Sequence, residues 1–183
     1  MNVFVLSTGR CGSTTFVKAS GHILNFTSAH ESHIGKVGPS RLDYPNNHIE
    51  SDNRLSWFLG RLDAKYGDDA FYVHLKRDRM ETAISYAKRF QPGLIMHAYA
   101  YGIYLEIPQT RIVDVALDYY DTVNENITFF LRNKTRKMDF NLENAKTDWP
   151  VFWERIGAQG DLTMANNEWD VAYNKSASNP AAG

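Results

Sequence analysis

An apolar run, Asn2-Val3-Phe4-Val5-Leu6, passes without a linker into Ser7-Thr8-Gly9-Arg10-Cys11-Gly12-Ser13-Thr14, and a helix-forming segment, Thr15 to Ser20, follows at once. This succession of strand, glycine- and hydroxyl-rich loop, and helix constrains the fold more than any other feature. The run is too short for a helix and rich in β-branched and aromatic residues, so it is expected to be a buried strand. Glycines let a backbone approach an anion closely and turn its amides inward. A helix N-terminus adds unpaired N–H groups and the positive end of a dipole. Ser13 and Thr14 offer hydroxyls, and Arg10 offers a forked cation. Gly9, Arg10, Cys11, Gly12, Ser13 and Thr14 are therefore the candidate anion contacts. A nucleoside triphosphate loop would read G-x-x-x-x-G-K-S/T. No lysine follows Gly12, so the tail of Mg·ATP is not the expected ligand. A plain glycine turn capped by a hydroxyl is the alternative reading.

Further strands are expected at Ile23 to Ala29, His48 to Ser51, Phe71 to Leu75 and Met138 to Leu142. Helices are expected from Arg54 to Tyr66 and from Arg79 to Phe90, the second capped by Asp78 with Glu81 in capping-box position. Leu94 to Arg132 reads as mostly helical, interrupted near Pro108, with a stripe of Val113, Leu117, Tyr120, Val123 and Ile127. A last helix is expected from Trp149 to Ile156, starting near Pro150. Strand–loop–helix units alternating through the first half predict an α/β fold with a parallel, doubly wound sheet. Residues 1–173 then form one domain, and 174–183, rich in Ser, Ala, Pro and Gly, read as a disordered tail.

The chain has 183 residues and a net charge of −1, so no global field favours nucleic acid or an anionic membrane, and any anion site has to be local. A single cysteine rules out an internal disulfide and suits a reducing compartment. No stretch approaches the roughly 20 apolar residues of a membrane span, and the N-terminus lacks the basic region of a signal peptide. The expected location is cytoplasmic.

A second motif follows the clearest strand: Phe71-Tyr72-Val73-His74-Leu75-Lys76-Arg77-Asp78-Arg79, with Ser85 eight residues after Arg77. Arg77 leaves the carboxyl end of a strand, where open α/β sheets bind ligands, and Ser85 lies two turns along the next helix. Together they can bracket a phosphate. A surface helix bearing solvated charges, Lys88 and Arg89 among them, is the alternative.

These two segments resemble those of sulfotransferases that use 3′-phosphoadenosine 5′-phosphosulfate (PAPS). Thr8-Gly9-Arg10-Cys11-Gly12-Ser13-Thr14 is similar to the family's 5′-phosphosulfate loop, with Arg10 on its basic position, Gly12 on its glycine, Ser13 and Thr14 on its hydroxyls, and Cys11 in place of the usual hydroxyl residue. Phe16 stands one place beyond the family's aromatic residue. Arg77, Asp78 and Ser85 match the 3′-phosphate segment, with Arg79 where proline is usual. The resemblance covers the first half of the chain. It implies a three-layer sandwich of the P-loop NTPase-like sulfotransferase type with a helical C-terminal half. It also implies PAPS as donor co-substrate with no metal, and an acceptor hydroxyl or amine on a carbohydrate, lipid, small molecule or peptide. Arg10 would stabilise the leaving oxygen. The base is expected after the second strand, in Ala29-His30-Glu31-Ser32-His33: Glu31 first, with His30 and His33 as alternatives. The two histidines lack an evident third ligand for a metal. A nucleoside-type kinase and a non-catalytic binder of adenosine bisphosphate are the competing functions.

Overall fold

A strand can bury side chains on both faces only if each face is covered. In the computed structural model, which describes residues 1–105, 111–171 and 173, the first strand, β1 (Val3–Leu6), is buried throughout. Phe4 and Leu6 enter one core; Val3 and Val5 enter another on the opposite face. β1 is the middle of a five-stranded sheet, ordered β2 (Thr27–His30), β3 (His48–Ser51), β1, β4 (Phe71–Lys76), β5 (Lys137–Asn141). All neighbouring pairs are parallel, with Val3 opposite both Ile49 and Phe71.

On the Val3 and Val5 face lie α1 (Ser13–Ser20), α6 (Ala145–Arg155) and α7 (Leu162–Asn167), contributing Phe16, Trp149, Phe152 and Ala165 to the core. The Phe16 ring is 5.3, 5.1 and 5.0 Å from those of Phe140, Trp149 and Phe152. On the other face lie α2 (Leu59–Tyr66), α3 (Arg79–Ala87), the single turn α4 (Ile95–Ala98) and α5 (Ile112–Leu131). Leu62, Ala83, Tyr86, Met96 and Tyr119 fill that side. The molecule is an α/β/α sandwich with a parallel sheet and a largely helical C-terminal half.

This arrangement makes a crevice. The chain leaves β1 through α1 on one face and leaves β4 through α3 on the other. The loops at the carboxyl ends of these neighbouring strands therefore diverge, which is the switch point where open parallel sheets take ligands.

Several elements differ from the sequence reading. The second strand is Thr27–His30, not Ile23 to Ala29. Asn25 instead bonds the Gly157 carbonyl and the Gln159 amide (2.9 and 2.8 Å), and Ile23 makes one antiparallel bridge to Gly160. The expected helix from Arg54 splits into a 3₁₀ turn, Asn53–Trp57, and α2. Asp52 caps the turn through the Arg54 amide, while Asn53 and Ser56 donate to the carbonyls of Thr8 and Ser7. The stripe of α5 is rotated to Val115, Ala116, Tyr119, Val123, Ile127 and Leu131. α6 starts five residues before Pro150 and holds it inside, and α7, capped by Asp161, was not anticipated. The expected break near Pro108 and the expected tail at 174–183 lie outside the described residues.

Candidate active site

The loop after β1 is fixed before any ligand is considered. The Thr8 carbonyl accepts hydrogen bonds from the phenols of Tyr86 and Tyr119 (2.9 Å for Tyr119) and from Asn53 (3.3 Å). Burial pushes both phenol pKa values up, Tyr119 to about 12, so both remain protonated donors at neutral pH. Gly9 (φ 85°) faces this anchor: a Cβ there would overlap the Tyr86 hydroxyl. Gly12 (φ 91°) precedes α1, and a Cβ would come within 2.7 Å of Leu142. Between them Arg10 takes the left-handed conformation, φ 61°. Cys11 turns into the core, fully buried, and burial raises its thiol pKa.

The two motifs meet here. Arg10 Nε donates to Ser85 Oγ at 3.0 Å, and Arg77 donates through one terminal nitrogen to the Arg10 carbonyl at 3.3 Å. The remaining edge of Arg77 engages Glu81, with Nε at 3.1 Å. Burial, then the positive field of Arg89 and Arg77, lowers the Arg10 pKa. The guanidinium stays charged, so the loop concentrates positive potential at one place.

These groups line a cleft of about 590 Å³. Arg10, Gly12, Ser13, Thr14, Arg77 and Ser85 reach it as the sequence suggested, whereas Gly9 and Cys11 are not on its wall. The cleft also takes Glu81, Ile84 and Lys88, which share a face of α3 with Ser85. Their spacing of three, four and seven residues was a readable signal. Trp169, Asp170, Val171 and Tyr173 close the far side. Nothing local in the sequence marks them, because they arrive through the packing of α7. Phe16 does not reach the cleft; its ring belongs to the core. Glu81 completes only half of the expected capping box: its amide bonds Asp78 at 2.8 Å, while the Asp78 amide goes to Glu143.

The three candidate bases separate. His30, at the end of β2, places Nε2 3.0 Å from Ser13 Oγ on the cleft wall. Glu31 pairs with Arg54 at 2.9 Å. His33 is buried, its ring stacked on Tyr44 at 4.2 Å, and burial lowers its pKa. Among the described residues no group of three His, Cys, Asp or Glu is placed to hold a metal ion, and no helix is long and apolar enough to cross a membrane.

No family model and no curated protein matches the sequence. Among solved structures, the fold is similar to a sulfotransferase domain from the curacin biosynthetic pathway, with a TM-score of 0.59 at 12% identity, covering 87% of this chain and 74% of that one. The chain thus has a sulfotransferase-like fold.

Proposed function

We propose that the protein is a sulfotransferase that moves a sulfuryl group from PAPS to an acceptor hydroxyl or amine. The observation that carries this reading is the cross-brace of Arg10 to Ser85 and of Arg77 to the Arg10 carbonyl, at the switch point of a sulfotransferase-like fold. The donor set suits a polyanion: the cationic side chains of Arg10, Arg77 and Lys88, the hydroxyls of Ser13, Thr14 and Ser85, and the start of an eight-residue helix. Glu81 has to share Arg77 with a bound phosphate, and its side chain, 61% exposed, has water to turn into.

PAPS supplies the sulfuryl group and departs as adenosine 3′,5′-bisphosphate. Arg10 and the amides of the loop would stabilise the negative charge that develops on the leaving oxygen. Arg77, Ser85 and Lys88 would hold the 3′-phosphate. His30 removes the acceptor proton: its contact with Ser13 supports it over Glu31, whose carboxylate is engaged by Arg54. Radiolabelled PAPS and a panel of carbohydrate, lipid, phenol and peptide acceptors test the reading. His30→Gln should lower turnover about 10²- to 10⁴-fold and leave bisphosphate affinity unchanged; Glu31→Gln should cost far less. Full activity in His30→Gln returns the base to Glu31, and transfer to no acceptor by the unaltered protein overturns the function.

A further inference from the structure

Glu50 lies in β3, fully buried, one strand in from the edge of the sheet. A buried carboxylate is costly unless every oxygen is satisfied, and an apolar residue of similar volume would pack there without that cost. Glu50 directs both oxygens at one residue of an exposed loop. Oε1 accepts the Ser32 amide at 2.8 Å, and Oε2 accepts the Ser32 hydroxyl at 2.6 Å. His48 Nε2 lies 3.0 Å from Oε2, and its Nδ1 lies 2.8 Å from Thr27 Oγ1 of β2, so the clamp is itself tied to the strand it serves.

Between β2 and Ser32 stands Glu31, a non-glycine residue with φ 52°. The left-handed conformation costs about 1–2 kcal/mol for such a residue. It persists where the surroundings over-determine it. Here the Glu31 amide bonds the Ser51 carbonyl at 3.1 Å, which holds the chain before the turn, and Glu50 holds it after. The residue that enters this fixed turn is His30, with Nε2 against Ser13.

We propose that Glu50 is a positioning residue: by clamping Ser32 it holds the strained turn at Glu31 and so fixes the His30 imidazole against the loop after β1. The inference deepens the assignment of His30 as base and rests on it for its catalytic meaning.

The test has two readouts. In turnover, Glu50→Ala should lower kcat about a hundredfold, the cost of a misplacement near 1 Å, with bisphosphate affinity unchanged, and Glu50→Gln, which keeps an acceptor for the Ser32 amide, should recover most of the rate. In side-chain histidine NMR, Ser13→Ala should shift the His30 ring signal in the unaltered protein and in Glu50→Gln, but not in Glu50→Ala, where the contact is already lost. A His30 signal that still responds to Ser13→Ala in the Glu50→Ala chain overturns the proposal. That comparison needs no transferase activity, so it decides this inference even if no acceptor is ever sulfated. Should Glu50→Ala fail to fold, Ser32→Ala, an exposed change that removes one of the two clamp bonds, is read the same way; an unaltered kcat and His30 signal there overturn it.

Discussion

Arg77 shows what one side chain has to do at this site. Its terminal nitrogen reaches the Arg10 carbonyl, and its other edge is held by Glu81. Truncation removes the strap between the two loops and, in the proposed function, a hydrogen-bond donor to the 3′-phosphate. Arg77→Ala should weaken binding of adenosine 3′,5′-bisphosphate by about 2–3 kcal/mol, the range of a charge-assisted hydrogen bond; unchanged affinity by calorimetry would remove Arg77 from the site. That Arg10, Gly12, Ser13, Thr14, Arg77 and Ser85 line one cleft was legible in the sequence, because each stands at a fixed distance from the carboxyl end of a strand. Gly9 was legible as a necessary glycine but for another reason: the close neighbour is the Tyr86 hydroxyl. Such a long-range contact has no local signature. The same holds for Trp169 and Tyr173, which reach the cleft through tertiary packing alone.

Elements were readable in proportion to their burial. β1, β3 and β4 are buried along nearly their whole length; apolar runs located β1 and β4 within a residue or two, whereas β3, His-Ile-Glu-Ser, has one apolar residue and buries polar ones. β2 is an edge strand with exposed and half-buried positions, and its Thr-Ser-Ala-His sequence carries no such run. Two predictions belong to this scale. Gly9→Ala combines a left-handed backbone with displacement of Tyr86 from the Thr8 carbonyl, and should cost about 2–4 kcal/mol, read as a lower urea midpoint at constant slope; an unchanged midpoint would mean the loop is not anchored there. The far wall of the cleft is tied to the end of α1 by Glu168, which lies 2.9 Å from His22 and accepts from Tyr173. The bonds from His22, then Tyr173, hold the Glu168 pKa below its ordinary value of 4.5. A depressed carboxylate contributes stability that is present above its unfolded pKa and lost as pH falls through the folded one. Hydrogen exchange around residues 168–171 should therefore speed up as pH drops below about 4.5, after correction for intrinsic rates, and His22→Ala should remove much of that dependence. A pH response identical in the two proteins would sink the tether.

At the scale of the whole molecule, the strand order was not legible, since nothing local tells which strands will be neighbours. Yet that order sets β1 beside β4 and brings Arg10 and Ser85, 75 residues apart, to 3.0 Å. A ligand held by both loops would bind only the folded chain, because the unfolded chain has no such juxtaposition. Mass action then stabilises the fold by about 2.7 kcal/mol at a hundred times Kd. For a protein of this size each kcal/mol raises Tm by about 2–4 °C, so saturating adenosine 3′,5′-bisphosphate should raise the melting temperature by about 5–10 °C. Mg·ATP lacks the 3′-phosphate and meets a loop without the lysine that grips its tail, so its shift should be much smaller. Arg77→Ala should shrink the difference between the two nucleotides, because Arg77 is the proposed contact to the 3′-phosphate that ATP lacks. Equal shifts with both ligands, or a larger one with Mg·ATP, would favour a kinase.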